Sequence, residues 1–230
     1  MGTQKAVLVD IDGTLLDSND AHASAWVKAL REAGHDVPFD KVRPLIGKGG
    51  DKLLAEVAGL SDDSREGTAI GDRRARIFRD EYLPTLKPFP RVRELLQRLH
   101  SDGYRLVVAT SAEEKEMHAL LERTGGAEFF EQAASSSDAE NSKPDPDIVK
   151  AALRKADCGP EEALMLGDTP YDIEAAGAAA VGAIGLCSGG WSADALRGAI
   201  AIYENAADLL ARYDTSPFSR RSASSVGRHS

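Results

Sequence analysis

The stretch AVLVDIDGTLLDS at residues 6–18 decides the fold of this chain. It opens with a continuous apolar run that ends at an acid, which is typical of a short strand buried on both faces. Amphipathic segments separate this run from others like it. Such alternation of strand and helix predicts an α/β fold with a Rossmann-like parallel sheet and helices on both faces. The further strand segments are residues 105–110 (RLVVAT), 163–168 (ALMLGD), 181–186 (VGAIGL) and, more weakly, 130–135.

The interval between the first and second predicted strands is too long for a simple alternation of strand and helix. About 95 residues separate Asp10 from the next strand at Arg105, whereas a whole β-α-β unit takes only about 30. The surplus is not low-complexity sequence, because parts of it have helical periodicity. The segments with that periodicity are residues 21–33, 52–58 and 69–83.

We therefore predict a helical cap, residues 17–87, inserted into an α/β core made of residues 1–16 and 88–213. The Pro-rich return near residues 84–90 stiffens the second crossing between them. The Ser- and Arg-rich segment 214–230 has few apolar residues, so we expect it to be a disordered tail that does not pack.

Composition and charge exclude several classes of protein. The 28 basic and 37 acidic residues give a net charge of −9, which disfavours nucleic acid as a partner. The apolar runs fall far short of the roughly 18–20 residues that span a membrane. No signal-peptide pattern is present, so we expect a cytoplasmic protein. Cys158 and Cys187 lack metal-binding spacing and are interpreted as plain thiols. The sequence gives no indication of oligomeric state.

The first candidate site residues are Asp10 and Asp12. On an extended chain, residues i and i+2 point to the same side, so two carboxylates meet at the end of the first strand. They repel one another unless a cation lies between them or one is protonated. The alternative is that both are solvated acids at a turn made by Gly13.

Four further polar residues follow later strands. Thr110 ends the second strand, Lys143 lies in NSKPDPD, and Asp168 and Asp172 lie in GDTPYD. Taken singly, each has an ordinary structural explanation, as a helix cap, a surface turn or a first-turn acid.

Taken together, these residues indicate one site. The carboxyl ends of parallel strands line one edge of the sheet, where ligands bind. A few hard oxygen ligands suit Mg²⁺, which pairs with phosphate oxygens. A carboxylate can attack phosphorus and form an aspartyl-phosphate, and an amine and a cation neutralise the charge of the transferring group.

The four motifs DIDGTLLDS, VVATS, KPDP and GDTPYD, in this order, resemble those of the haloacid dehalogenase superfamily, in its phosphatase branch with a helical cap after the first strand. The resemblance covers about residues 5–210. It implies Mg²⁺-dependent hydrolysis of a small phosphorylated metabolite by a phosphoric monoester hydrolase.

The resemblance also implies a role for each motif residue. Asp10 is the nucleophile and a metal ligand, and Asp168 is the second carboxylate ligand. Asp12 is the acid that protonates the leaving oxygen and then the base that activates water, while its backbone carbonyl binds Mg²⁺. Thr110 binds a phosphoryl oxygen and Lys143 balances charge. Asp172 lies in the second shell and orients the metal site.

Other activities of the superfamily remain alternatives. Dehalogenases and phosphonatases of this family lack the second aspartate, so Asp12 disfavours both, although Lys48 and Lys52 lie in the cap. A β-phosphoglucomutase-like sugar phosphate mutase keeps that aspartate and has a His ten residues later, where His22 stands. However, Asp51 occupies the place where we would look for its phosphate-binding Arg. A non-catalytic binding or regulatory protein would have lost a motif residue, and none is lost.

The cap supplies the remaining candidates for substrate binding. IGKGG at residues 46–50 resembles the substrate loop of phosphoglycolate-phosphatase-like caps. Gly47 permits close backbone approach, and Lys48 could reach an anionic group. With Ser111 and His22, these residues are our predicted substrate contacts. Phosphoglycolate is the leading single substrate.

Overall fold

A computed structural model of the chain describes residues 5–219. It contains one parallel six-stranded sheet in the order β3-β2-β1-β4-β5-β6, which confirms the predicted α/β fold. The last strand was not predicted; it has only three residues, at the end of the apolar run of residues 199–203. The strands are β1 Ala6–Val9, β2 Arg105–Ala109, β3 Phe130–Ala134, β4 Ala163–Gly167, β5 Gly182–Leu186 and β6 Ala201–Tyr203.

The strand β1 lies at the centre of the sheet. Its residue Val9 is in register with Val108 of β2 on one side and with Leu166 of β4 on the other. The chain builds outward from β1 through β2 to β3 and then crosses back to the other side with β4. The carboxyl ends of β1 and β4 therefore flank the point where the strand order reverses, and ligands bind at such points in open α/β sheets.

Helices cover both faces of the sheet. Alternate residues of β1 point to opposite faces, so Leu8 packs with α7 and α8 while Val9 packs with α5 and α9. None of the helices in residues 5–219 is long and apolar enough to cross a membrane. The helices are α1 Asn19–Glu32, α2 Phe39–Val42, α3 Gly50–Ala58, α4 Arg65–Ile77, α5 Val92–Ser101, α6 Glu114–Arg123, α7 Asp147–Ala156, α8 Pro170–Ala178 and α9 Ala206–Ala211.

The segment between β1 and β2 forms helices α1–α5, of which α1–α4 precede the Pro-rich return, and α1 packs against α4. Its buried side chains, such as Trp26 and Ile70, share one apolar cluster with Met117 of α6. We refer to residues 17–87 as the cap, keeping the predicted boundaries as our proposed division.

The two chain crossings between cap and core lie side by side. The amide of Asp17 donates to the carbonyl of Lys87 (3.1 Å), and the amide of Phe89 donates to that of Leu15 (3.0 Å). Leu16 also bridges Pro88 in antiparallel fashion. This pairing falls at the proposed boundaries and supports them.

The predicted tail is wrong for residues 214–219, which pack against the core. Phe218 is buried, with its ring edge-on to Tyr104 and stacked on Tyr213. The hydroxyl of Tyr104 donates to the carbonyl of Phe218 (2.7 Å). One aromatic ring in an otherwise polar segment thus fixes that segment on the α5–α9 face. Residues 220–230 lie outside the described residues.

Candidate active site

The predicted motif residues meet at the carboxyl ends of the central strands. Asp10 follows β1, Thr110 follows β2 and Asp168 follows β4. The amide of Asp10 donates to the carbonyl of Leu166 (2.9 Å), which ties the end of β1 to that of β4. Parallel register alone therefore brings these side chains to one place.

Lys143 joins two of the acids. Its Nζ donates to Asp10 Oδ1 (2.7 Å), to Asp172 Oδ1 (2.6 Å) and to the carbonyl of Ala109 (2.9 Å). Burial alone would lower the pKa of this amine. The two carboxylates outweigh burial and raise its pKa, so that Lys143 stays an ammonium.

Asp168 is fully buried in a cradle of small groups. It accepts hydrogen bonds from Thr14 Oγ1 (2.9 Å) and Asn19 Nδ2 (3.0 Å). Gly13 has φ +77°, and a Cβ there would lie 2.1 Å from Asp168 Oδ2; at Gly189 it would lie 1.6 Å away. Neither Thr14 nor Asn19 was predicted, although Thr14 stands in the stretch that decides the fold and Asn19 follows it directly.

Asp10, Asp168 and Asp172 offer carboxylate oxygens within 4.8 Å of one another. Burial raises the pKa of Asp10 to about 7, against the opposing charge of Lys143, and raises that of Asp168 well above its usual value. Among residues 5–219, Lys143 is the one buried lysine or arginine. One ammonium among three buried carboxylates leaves excess negative charge, and this hard oxygen set fits a divalent cation such as Mg²⁺.

The oxygens of Asp172 are already engaged. Its Oδ1 accepts from Lys143, and its Oδ2 accepts from the amide and hydroxyl of Thr169 (3.0 and 2.7 Å). Each oxygen of Asp168 accepts one hydrogen bond from a neutral group, whereas Asp172 accepts one from the Lys143 ammonium and two from Thr169. Asp10 and Asp168 therefore fit best as the metal-holding pair, and Asp172 fits as the residue that orients Lys143. The expected role of Asp172 in orienting the metal site stays a prediction.

The carboxylate of Asp12 faces the cap and stands apart from this cluster. It accepts a hydrogen bond from the Ser18 hydroxyl and lies 2.9 Å from His22 Nε2. Burial alone would raise its pKa, but the charge and hydrogen bond of His22, the hydrogen bond of Ser18 and the charge of Arg74 together lower it. The ring of His22 stacks on Phe78 with centroids 3.9 Å apart. The expected metal contact of Asp12 through its backbone carbonyl stays a prediction.

A cavity of about 60 Å³ lies between this cluster and the cap. Most of the predicted contacts line it together with apolar and charged residues that sequence reasoning missed. The predicted lining residues are Asp10, Asp12, His22, Thr110, Ser111 and, in the predicted substrate loop, Ile46, Gly47, Gly49 and Gly50, and the others are Trp26, Leu45, Leu53, Arg74, Ala112 and Glu116.

The cap loop of residues 46–50 reaches the core, but its lysine does not line the cavity. Gly47 has φ +106°, and a Cβ there would meet Thr169 Cγ2 at 2.9 Å. The Nζ of Lys48 instead donates to Glu56 (2.6 Å) and stands 5.1 Å over the ring of Tyr171. Lys52 likewise donates outside the cavity, to the carbonyl of Ser142 (2.6 Å).

Arg74 is the cation that sequence reasoning missed. It shares one face of α4 with Ile70 and Ile77, which are both buried. An arginine within the apolar stripe of an amphipathic helix is the signal that could have identified it. Thr110 Oγ1 accepts from the amide of Ala112 (3.1 Å) in the turn before α6, whose N-cap residue is Glu113, so the structure does not give Thr110 the capping role that was its structural alternative.

Comparison with known proteins gives consistent results. Residues 7–186 match the model of the family described as haloacid dehalogenase-like hydrolase. A phosphoglycolate phosphatase of Rhodospirillum rubrum is 34% identical over 218 residues, 89% of each chain. The protein named "Probable phosphatase IndB" of Dickeya dadantii is 31% identical over 198 residues, 84% of this chain and 85% of that one. The crystal structure of a hydrolase from Pseudomonas syringae superposes with a TM-score of 0.84 at 26% identity, over 92% of this chain and 99% of that one.

Proposed function

The chain belongs to the haloacid dehalogenase-like hydrolases and is a phosphatase, and we propose that it hydrolyses a small phosphomonoester through a phosphoryl group carried on Asp10. The observation that carries this proposal is the buried contact between Asp10, which lines the cavity, and Lys143. A carboxylate beside an ammonium at the switch point of the sheet supports the role of Asp10 as nucleophile.

In the first step, a carboxylate oxygen of Asp10 attacks the phosphorus and the bond from phosphorus to the ester oxygen breaks. The leaving oxygen takes a proton from Asp12, whose carboxyl lines the cavity. Asp12 must enter this step as the neutral acid, and the negative charge of a bound phosphoryl group raises its pKa against the lowering by His22 and Arg74. Lys143 balances the negative charge of Asp10 and of the phosphoryl oxygens. Thr110 and Ser111, which line the same cavity, are placed to bind those oxygens.

In the second step, Asp12 takes a proton from water as the water oxygen attacks the phosphorus. The bond from phosphorus to Asp10 breaks, which releases inorganic phosphate and restores the carboxylate. Mg²⁺, held by Asp10 and Asp168, would supply positive charge beside the phosphoryl oxygens. Thr14 and Asn19 hold Asp168 in place for that ion.

The proposed substrate class is phosphoglycolate-like. A cavity of about 60 Å³ is well above the roughly 10–15 Å³ at which a space first holds a water, and it suits a small leaving group. Relatives named phosphoglycolate phosphatase, at about a third identity over most of both chains, support the same class.

A sugar phosphate mutase is the second candidate, because His22 contacts Asp12 in the position that a mutase would use. A mutase must also hold a second phosphate on a six-carbon sugar. Asp51, at the position expected for the phosphate-binding cation, carries the wrong charge, and the cavity is small. These two features favour hydrolysis.

The test is release of inorganic phosphate from a panel of phosphomonoesters, with Mg²⁺ and with EDTA. We expect Mg²⁺-dependent hydrolysis, with phosphoglycolate among the best substrates, and no interconversion of glucose 1-phosphate and glucose 6-phosphate. Interconversion of those sugar phosphates would favour the mutase. Failure to hydrolyse any ester of the panel would contradict the proposal.

A further inference from the structure

We propose that Arg74 recognises the leaving group of the substrate by binding a carboxylate on it, and that Glu116 occupies the place of this carboxylate in the resting enzyme. The inference rests on the proposed function, because it names the residue that selects among phosphomonoesters. It also replaces Lys48, which the sequence predicted for this task.

The two residues face each other across the gap between cap and core. Arg74 lies on α4 of the cap and Glu116 on α6 of the core, and Arg74 Nη1 donates to Glu116 Oε2 (2.6 Å). The exposed fractions of their side chains are only 17% and 14%. Both line the cavity that also contains Asp10 and Asp12. An anion bound to Arg74 would therefore lie in the same cavity as the reacting phosphoryl group.

The guanidinium of Arg74 is held in place by aromatic rings, but one of its hydrogen-bond donors has no partner among the described residues. Its central carbon stands 5.3 Å from the ring centre of Trp26 and 5.7 Å from that of Phe78. Its Nε is buried and has no hydrogen-bond partner among the described residues. An arginine presents its donors as a rigid planar fork that matches the two oxygens of a carboxylate. The unused donor and the fixed plane are what a carboxylate ligand requires.

Glu116 is suited to act as an internal competitor. A substrate carboxylate that takes its place leaves Arg74 paired, so neither state leaves the half-buried guanidinium without an anion. Among the described residues that line the cavity, Arg74 is the one arginine or lysine, and His22 is already in contact with Asp12. Arg74 is therefore the cationic side chain of this cavity that a second anionic group of the substrate can bind.

The position of the pair also indicates where the carboxylate lies on the substrate. Arg74 and Glu116 line both the inner cavity and an adjoining cleft of about 400 Å³. They therefore stand where the two spaces join, and the charge of Arg74 reaches Asp12. The predicted ligand is a phosphomonoester with its ester oxygen near Asp12 and its carboxylate at this opening.

The test compares phosphoglycolate with 2-hydroxyethyl phosphate, a neutral analogue of similar size. The measured quantity is the ratio of their kcat/KM values in wild type, Arg74→Gln and Arg73→Gln. We expect Arg74→Gln to lower the preference for the carboxylate at least tenfold, mainly through KM.

Arg73 is the matched control, because it lies next to Arg74 but pairs with Glu32 on the exposed side of α4. Arg73→Gln should keep the ratio within twofold of wild type. Arg74→Lys, which keeps the charge and loses the fork, should fall between wild type and Arg74→Gln.

The variant Glu116→Gln distinguishes recognition of the substrate carboxylate by Arg74 from a purely structural role of the Arg74–Glu116 pair. If Glu116 competes with the substrate, its removal should lower KM for phosphoglycolate several-fold and leave KM for the neutral ester within twofold. Opposite effects of Arg74→Gln and Glu116→Gln on the ratio would support the inference. If the pair only fastens the cap, both variants will shift both substrates in the same direction, and the inference is overturned.

The outcomes also separate this inference from the proposed function. A wild-type enzyme that hydrolyses neither ester contradicts the function and the inference together. A wild-type enzyme that hydrolyses both, with a ratio unchanged in Arg74→Gln, contradicts the inference alone. Circular dichroism of each variant verifies that it is folded, and Glu116→Gln provides a result even if Arg74→Gln fails to fold.

Discussion

The ammonium of Lys143 compensates the negative charge of the buried carboxylates. It is surrounded by Asp10 and Asp172, and its side chain is only 1% exposed. Removing one partner of a buried ion pair leaves uncompensated charge, which typically costs about 3–5 kcal/mol. We therefore expect Lys143→Met, measured without divalent cations, to lower the free energy of unfolding by about that amount.

Lys155 provides the control for this prediction. It pairs with Asp138 (2.9 Å) near the surface, with a third of its side chain exposed. Such pairs contribute about 0–1 kcal/mol to the free energy of unfolding. Lys155→Met should therefore be much less destabilising than Lys143→Met when both variants are unfolded in urea. Equal stability of the two variants would show that Lys143 does not compensate the buried acids.

At the residue scale, sequence reasoning placed the core motifs better than the cap contacts. Asp10, Thr110 and Asp168 each follow a strand, so the topology of a parallel sheet brings them together without further information. The positions of Lys48 and Arg74 depend on how the cap helices rotate and dock on the core. That docking depends on tertiary packing around Trp26 and Met117, which no local pattern specifies.

At the element scale, α1 connects the cap to the candidate metal site. Its first residue, Asn19, donates to Asp168 Oδ2 (3.0 Å) and to the carbonyl of Gly189 (3.3 Å). Groups that orient a metal ligand typically contribute about 10–100-fold to metal affinity. We expect Asn19→Ala to raise the Mg²⁺ concentration for half-maximal activity about tenfold or more.

Asn141→Ala is the control for Asn19, because Asn141 is exposed and donates to Asp147 (2.9 Å) away from the site. It should leave the Mg²⁺ requirement unchanged. A loss of thermal stability in Asn19→Ala without a change in Mg²⁺ requirement would mean that Asn19 serves the helix and not the metal site.

The ends of the elements show why periodicity predicts helices better than their limits. The predicted helix at residues 69–83 is observed as α4, Arg65–Ile77, followed by a wider turn at Phe78–Tyr82. The hydroxyl of Ser64 caps α4 by accepting from the amide of Gly67 (3.0 Å). This N-cap residue lies before the apolar pattern, so a prediction from the pattern alone starts the helix too late.

At the scale of the whole molecule, excess negative charge should couple metal binding to stability. The chain carries a net charge of −9, and a ligand that binds only the folded state stabilises it by about 2.7 kcal/mol at one hundred times its Kd. For a chain of this size we expect saturating Mg²⁺ to raise Tm by about 5–10 °C. Differential scanning calorimetry measures this shift directly.

Screening of the whole-molecule charge is the competing explanation, so NaCl of matched ionic strength is the control. NaCl should raise Tm much less than Mg²⁺ does. Asp168→Asn should lose most of the Mg²⁺ effect, because one of the two proposed ligands becomes a neutral amide. An equal rise in Tm with NaCl, or a full Mg²⁺ shift in Asp168→Asn, would argue against a metal site at this sheet edge.

The central claim is that the phosphoryl group passes through Asp10. The most direct measurement is mass spectrometry of the enzyme quenched in acid during turnover with Mg²⁺. The account predicts the added mass of one phosphoryl group on the peptide that contains Asp10. With p-nitrophenyl phosphate, whose leaving group needs little protonation, it predicts more of this adduct in Asp12→Ala, which then lacks chiefly the base for the second step. In Asp10→Asn the adduct should be absent and kcat lower by several orders of magnitude. Turnover without a phosphoenzyme, together with Asp10→Asn activity within tenfold of wild type, would contradict it.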